Sequence, residues 1–116
     1  MRRRLNREYQ TLLETIARGE SASIEFKRCG VQPEEDTFQT VCSFANHLGG
    51  NIFLGVEDDG GIVGVPKGAV SDIQRNIANV VRNPKLFDPA VMLETEAIQA
   101  ADAAIIRIWV PMSADV

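Results

Sequence analysis

Apolar residues recur at helical spacing in the first segment, where Leu5, Tyr9, Leu12, Leu13 and Ile16 predict an amphipathic helix ending near Gly19. The next stretch, SIEFK (23–27), switches to strict alternation. Ile24 and Phe26 take one face and Ser23, Glu25 and Lys27 the other, which predicts a half-buried strand. After a loop through Gly30, Pro33 opens a second helix with Glu34, Glu35 and Asp36 in its first turn, where free amides and the helix dipole favour negative charge. Phe38, Val41, Cys42, Ala45 and Leu48 form its inner face, and Gly49 with Gly50 ends it.

NIFLGV (51–56) is nearly all apolar and predicts a central strand covered on both sides. The turn EDDGG and the short run IVGV (62–65) predict a hairpin in which Gly60 or Gly61 supplies the positive φ. A third helix follows. Ser71 and Gln74 match a capping box, Ile73, Ile77, Val80 and Val81 give the apolar face, and Pro84 forbids continuation. Two last strands, about Val91–Ile98 and Ala103–Val110, pair as a hairpin through QAAD. The expected fold is α/β (α+β): a single domain over residues 1–116, with a mixed sheet of about five strands and three helices. Residues 1–19 form the first helix with a basic arm and 20–112 the core.

Composition refines this picture only in its charge. Arg2, Arg3, Arg4 and Arg7 are four of twelve basic residues, whereas Glu8 alone of the sixteen acids lies in the first ten positions. From Thr11 onward eight basic and fifteen acidic residues leave a net charge of −7. Blanket phosphate binding relies on many Lys and Arg contacts, so a polyanion must be met locally, by the arm or by a bound cation. No run approaches the roughly 18 apolar residues of a membrane span. The start MRRRLNREYQ lacks the apolar run and small-residue cleavage site of a secretory signal, which predicts a cytoplasmic location. Cys29, Cys42 and His47 are too few and too far apart for a structural zinc site, and Cys42 reads as a small buried hydrophobe.

The acids raise a sharper question. Glu57, Asp58 and Asp59 follow the central strand at its carboxyl end, where open α/β sheets present functional groups, although Asp is equally common in a solvated turn. Glu25 points away from Ile24 and Phe26 on a strand expected beside 51–56. Either Lys27 pairs with it, or it converges with the other carboxylates on a divalent cation, a use that hard oxygen ligands suit. Glu20 and Glu25 would lie on opposite sides and about 16 Å apart in one continuous strand, so they share a cation only if the chain bends between them. Gly19 and the small SAS permit such a bend. Asn46 reads as a local hydrogen-bonding residue at a helix end, and His47 as an exposed side chain that could serve as a base. Trp109 points outward if Ile106, Ile108 and Val110 point inward, favouring an oligomer contact or packing on the first helix over base stacking.

ESASIEFK (20–27) followed by VCSFANHLGGNIFLGVEDDGGIVGV (41–65) is similar to the Schlafen AlbA-like domain family, with its E-x-x-x-x-E-F-K segment and its A-F-A-N-x-x-G-G, strand, G-V-x-D-D-G signature. IIRIWVPMS resembles the closing strand. In nuclease members of that family, which act on RNA, two glutamates of the first motif and an aspartate after the central strand work with Mg²⁺ or Mn²⁺. The resemblance implies Glu20, Glu25 and Glu57 or Asp58 as the corresponding metal ligands and catalytic residues, with Glu57 standing where the family usually has Asp. Those nucleases use two such modules around a positive cleft, whereas this chain supplies one. Many bacterial relatives are described as DNA-binding or transcriptional-regulator domains, and the end after SADV fits a piece of a longer protein.

Three functions are therefore expected to compete. The first is a nucleic-acid-interacting regulatory domain, homo-oligomeric or part of a longer regulator, with Arg2, Arg3, Arg4, Arg7 and Lys27 as phosphate contacts. The second is a metal-dependent endoribonuclease using Glu20, Glu25, Glu57 and Asp58. The third is a nucleotide-sensing or assembly module.

Overall fold

The computed structural model describes residues 2–87 and 91–113, with side chains from Arg7 onward. In chain order the elements are α1 (Arg2–Arg18), β1 (Ile24–Lys27), α2 (Glu35–Asn46), β2 (Gly50–Leu54), α3 (Val70–Arg82), β3 (Glu94–Ala100) and β4 (Ala103–Val110). They form one α+β domain around a four-stranded mixed sheet of order β1-β2-β4-β3. β1 and β2 run parallel, joined through α2, while β4 pairs antiparallel with both β2 and β3.

Alternation along the strands sorts the core into two clusters. Ile52 and Leu54 of β2 share a face with Ile106, Ile108 and Val110 of β4 and pack under α2 and α3 through Val41, Ala45, Ile73 and Ile77. Phe26, Phe53, Ile98 and Ile105 occupy the opposite face and meet Leu12, Tyr9 and Ile16 of α1. Phe26 and Phe53 are register partners whose rings meet edge to face, centroids 6.3 Å apart. The central strand is thus buried on both sides, as its apolar run predicts.

Among the described residues four strands stand where about five are expected. IVGV (62–65) is reduced to a single bridge between Val56 and Ile62 because Gly55, at φ 101°, turns the chain out of the β2 ladder. The oxygen of Gly55 then accepts from both Val63 and Gly64, which leaves the returning segment as a tight loop. α2 begins at Glu35 rather than Pro33, and Glu34 makes no side-chain cap. Its inner face uses Thr37 and Phe44, while Leu48 lies past its end and is 86% exposed. α3 has no capping box: Ala69 is its N-cap, and Gln74 instead donates to Thr95 Oγ1 on β3. Cys42 is half-buried and takes a weak bond from Asn46 Nδ2 at 3.7 Å, so Asn46 does bond locally.

Gly55 and Gly68 separate backbone strain from crowding. Both have positive φ, but a Cβ on Gly55 would stand 2.9 Å from the Gly64 backbone and 3.0 Å from Ile105 Cδ1, whereas Gly68 has open space. Gly55→Ala is expected to cost about 2–4 kcal/mol, strain and overpacking together, and Gly68→Ala only about 1 kcal/mol. Urea unfolding of the two variants checks this; equal losses would mean that crowding at Gly55 is relieved by movement of the loop.

Candidate nucleic-acid interface

α1 crosses the sheet from β3 at one edge to Phe26 of β1 at the other, held by its apolar stripe of Tyr9, Leu12 and Ile16. A neighbouring stripe, Arg7, Thr11, Thr15 and Arg18, recurs at three- and four-residue spacing and so shares a side of the helix. This side forms one wall of a cleft of about 440 Å³ whose floor is the sheet: Ile24 of β1, Asn51 and Phe53 of β2, Arg107 of β4. Arg7 and Arg18 are exposed and make no ion pair among the described residues. Arg107 is half-buried, its Nη1 3.4 Å from Glu96 Oε1, a pair open enough to solvent to hold the guanidinium only weakly. Three arginines against two glutamates, Glu8 and Glu96, give the cleft lining a small excess of positive charge on a chain of net charge −4.

Two features of this sheet face are unusual. Asn51 Oδ1 is buried and accepts no hydrogen bond, although a central strand offers many apolar alternatives for that position. Directly across from it, as its β4 register partner, stands Trp109, 39% exposed and outside both core clusters. Trp109 does point outward, opposite to Ile106, Ile108 and Val110, as alternation predicts.

The carboxylates are arranged differently. Beyond Gly19 the chain folds back along the outer edge of β1: Ser21 and Ile24 exchange backbone hydrogen bonds, and the Phe26 N–H donates to Glu20 Oε2 at 2.9 Å. The bend between the glutamates is therefore real, and Glu20 closes a sheet edge that would otherwise present a bare amide. Glu25 sits beside it. Partial burial, then the Glu20 charge, push the Glu25 carboxyl above its ordinary value against the opposing pull of Lys27. Lys27 Nζ lies 3.6 Å from Glu25 Oε2 and 3.1 Å from Asp36 Oδ2, with its side chain only 14% exposed. It is thus neutralised where a phosphate contact was expected, and Asp36 of α2 serves as an ion-pair partner more than as a cap.

Glu57 and Asp58 do not join this pair. Their turn is closed by Asp59, whose Oδ1 accepts from Gly61 N–H at 2.9 Å, and it docks on α1, where Gly60 meets Ile16. Glu25 belongs by register to the Ile52 side of the sheet, the face under α2 and α3. Among the described residues no three His, Cys, Asp or Glu side chains come together as a metal-ligand set. The carboxylates present here do not fit the implied Mg²⁺ or Mn²⁺ site: one oxygen of Glu20 already serves an amide, and an ammonium group stands against Glu25. His47 is exposed, its Nδ1 2.6 Å from Ser43 O, and contributes nothing to either cluster.

Arg7 is the only member of the expected phosphate-binding arm whose side chain is described; Arg2, Arg3 and Arg4 begin α1, and their side chains lie outside the described residues. Arg18, Asn51 and Arg107 were not singled out in the sequence. Arg18 was detectable from its helical phase with Arg7, and Asn51 and Arg107 from strand alternation opposite to Ile52 and Ile106.

The raised pKa of Glu25 has a consequence for stability. The folded state binds its proton more tightly than the unfolded chain, so the contribution is fully present below the unfolded pKa and is lost as pH rises through the folded value. Glu25→Gln removes that loss. The variant is expected to melt above the parent at pH 7, with the difference shrinking at about pH 4, near the ordinary glutamate pKa. Differential scanning calorimetry at both pH values checks it, and a variant less stable at pH 7 would show that the Lys27 pair dominates instead.

Residues 20–116 match the family model described as Schlafen, AlbA_2. No curated protein matches the chain. Among solved structures, it is similar to the N-terminal domain of an ATP-dependent DNA helicase RecG-related protein from Nitrosomonas europaea. The TM-score is 0.65 and the identity 26%, covering 88% of this chain and 71% of that one. It also shares a fold with the DIP2311 protein of Corynebacterium diphtheriae, at TM-score 0.53 and 17% identity, covering 94% of this chain but 27% of that protein. With the family model spanning the first motif, the sheet and both later helices, the chain belongs to the Schlafen AlbA_2 family.

Proposed function

We propose that this chain is a nucleic-acid-interacting regulatory domain that engages phosphates through the arginine-bearing side of α1. The observation that carries this reading is the clustering of Arg7, Arg18 and Arg107 around one cleft on an otherwise acidic protein. Guanidinium groups gathered in one place, those of Arg7 and Arg18 without an ion pair among the described residues, are what a locally met polyanion requires, since the acidic remainder of the surface repels phosphate. Arg2, Arg3 and Arg4 extend the same helix and are proposed as further phosphate contacts. Similarity to a domain of a DNA-helicase-related protein supports a role beside nucleic acid. The Glu20–Glu25 pair takes no catalytic part in this reading, because its geometry serves the β1 edge.

Fluorescence anisotropy with labelled oligonucleotides, over a salt series, tests the proposal. Each phosphate contact contributes a slope of roughly 0.7–0.9 to the fall of log affinity with log salt. The double variant Arg7→Ala/Arg18→Ala is expected to bind about tenfold or more weakly and to reduce the slope by about one to two. Unchanged affinity and slope in that variant would refute the assignment.

A further inference from the structure

We infer that the outer edge of β3 is a docking surface for β3 of a second copy of this chain, the two strands pairing antiparallel about Ala97. The inference starts from backbone direction and stands apart from the nucleic-acid reading. Successive residues of a strand turn their N–H and C=O to opposite sides. The Val65 N–H donates to Ala104 O, so Ala104 faces the β2 side of β4, and Ala103, Ile105, Arg107 and Trp109 face β3. Their register partners Ala100, Ile98, Glu96 and Glu94 are thereby bonded inward. Thr95, Ala97 and Gln99 turn their backbone groups outward, and nothing among the described residues bonds to them.

The two edges of the sheet are finished differently. On β1 both outward amides are answered, Ile24 by Ser21 O and Phe26 by the Glu20 carboxylate. β3 carries none of the usual obstacles to pairing: ETEAIQA holds neither Lys nor Pro, and its register with β4 runs from Glu94 opposite Trp109 to Ala100 opposite Ala103 without a bulge. Outward residues bond only to outward residues, and Ala97 is the middle of the three. A two-fold axis at Ala97 sets it against its own copy and sets Thr95 against Gln99 of the partner subunit, which uses every outward N–H and C=O of both strands. The contact is isologous and closes at two copies. Side chains agree with this register. Exposed Ala97, with its small methyl group, meets itself on one face. On the other, Glu94 and Glu96 fall opposite Ala100 and Ile98 rather than opposite each other, and Glu96 is already paired with Arg107 of its own copy. Pairing on three alternate residues makes a small contact, so the dimer is weak and concentration-dependent.

Sedimentation velocity of the full chain, from micromolar to millimolar concentration, is expected to show the 12.7 kDa monomer passing to a species of twice that mass. Amide hydrogen exchange followed by NMR reads the surface itself. Exchange at Thr95, Ala97 and Gln99 is expected to slow as concentration rises, while Glu96 and Ile98, already bonded to β4, stay unchanged. Ala97→Lys places two like charges at the axis and is expected to weaken association about tenfold or more. Ala97→Pro deletes only an outward N–H and is expected to abolish association; where it lowers the melting temperature, Ala97→Lys decides. Arg7→Ala/Arg18→Ala is expected to associate as the parent does, so loss of the dimer and loss of nucleic-acid binding are separate results. A monomer at every concentration, association that Ala97→Lys leaves unchanged, or free exchange at Thr95, Ala97 and Gln99 in the associated protein overturns the assignment.

Discussion

Burial of β2 on both faces is the constraint on which the rest of the structure depends. Ile52 and Leu54 must be covered on one side and Phe53 on the other. α2 and α3 together supply the first layer, but α1 alone supplies the second. One helix laid across four strands cannot cover the whole of their face: a helix with its side chains is about 10–12 Å wide, whereas a strand of seven or eight residues runs about 25 Å. α1 takes the Phe26, Phe53 and Ile105 half. The row of Ile24, Asn51, Trp109 and Glu94 is left beside it. The cleft is thus a result of layer count, and its chemistry is set by Asn51 and Arg107 on the floor and by Arg7 and Arg18 on the α1 wall.

The β1 edge solves a different problem with charge. An edge strand exposes amides to any passing chain, and here a folded-back carboxylate takes one of them. That places two negative charges side by side, which adds to partial burial in raising the Glu25 carboxyl above its ordinary value. The cost is partly offset by Lys27, which in turn is tied to Asp36 at the start of α2. The result is a run of charges from the edge to the α2 layer whose members satisfy one another. Such a run has little left for a cation, and this explains how the family's glutamates can be present in spacing and order while the third carboxylate turns towards α1.

Local pattern carried most of the fold. The alternation of Ile24, Glu25, Phe26 and Lys27, the helical phase of the three apolar stripes and the apolar run of β2 each express a periodicity that tertiary contacts then reinforce. Even the bend after Gly19 was legible, because two glutamates five apart can meet only through one. What escaped were decisions taken between elements. Ser71 and Gln74 match a capping box, yet Gln74 finds Thr95 across the chain; Leu48 keeps the helical phase of α2 but falls beyond its end; IVGV has strand composition but Gly55 removes its partner. In the candidate site, Arg7 could be chosen from charge alone; Arg18, Asn51 and Arg107 were legible as faces of their own elements, but joining them into one site required knowing that α1 lies over the β1, β2 and β4 surface.

Asn51 shows how much a single polar choice can indicate. Its neighbours Ile52, Phe53 and Leu54 are all buried and apolar, and asparagine is among the poorer strand residues, so neither propensity nor packing selects it. A buried acceptor without a partner lowers stability further. Where a residue opposes both local preference and core packing, neither of them accounts for its selection. Asn51 lies on the floor of the groove that Arg7, Arg18 and Arg107 border, with Trp109 as its β4 register partner, so the polar choice falls where the α1 layer leaves the sheet open.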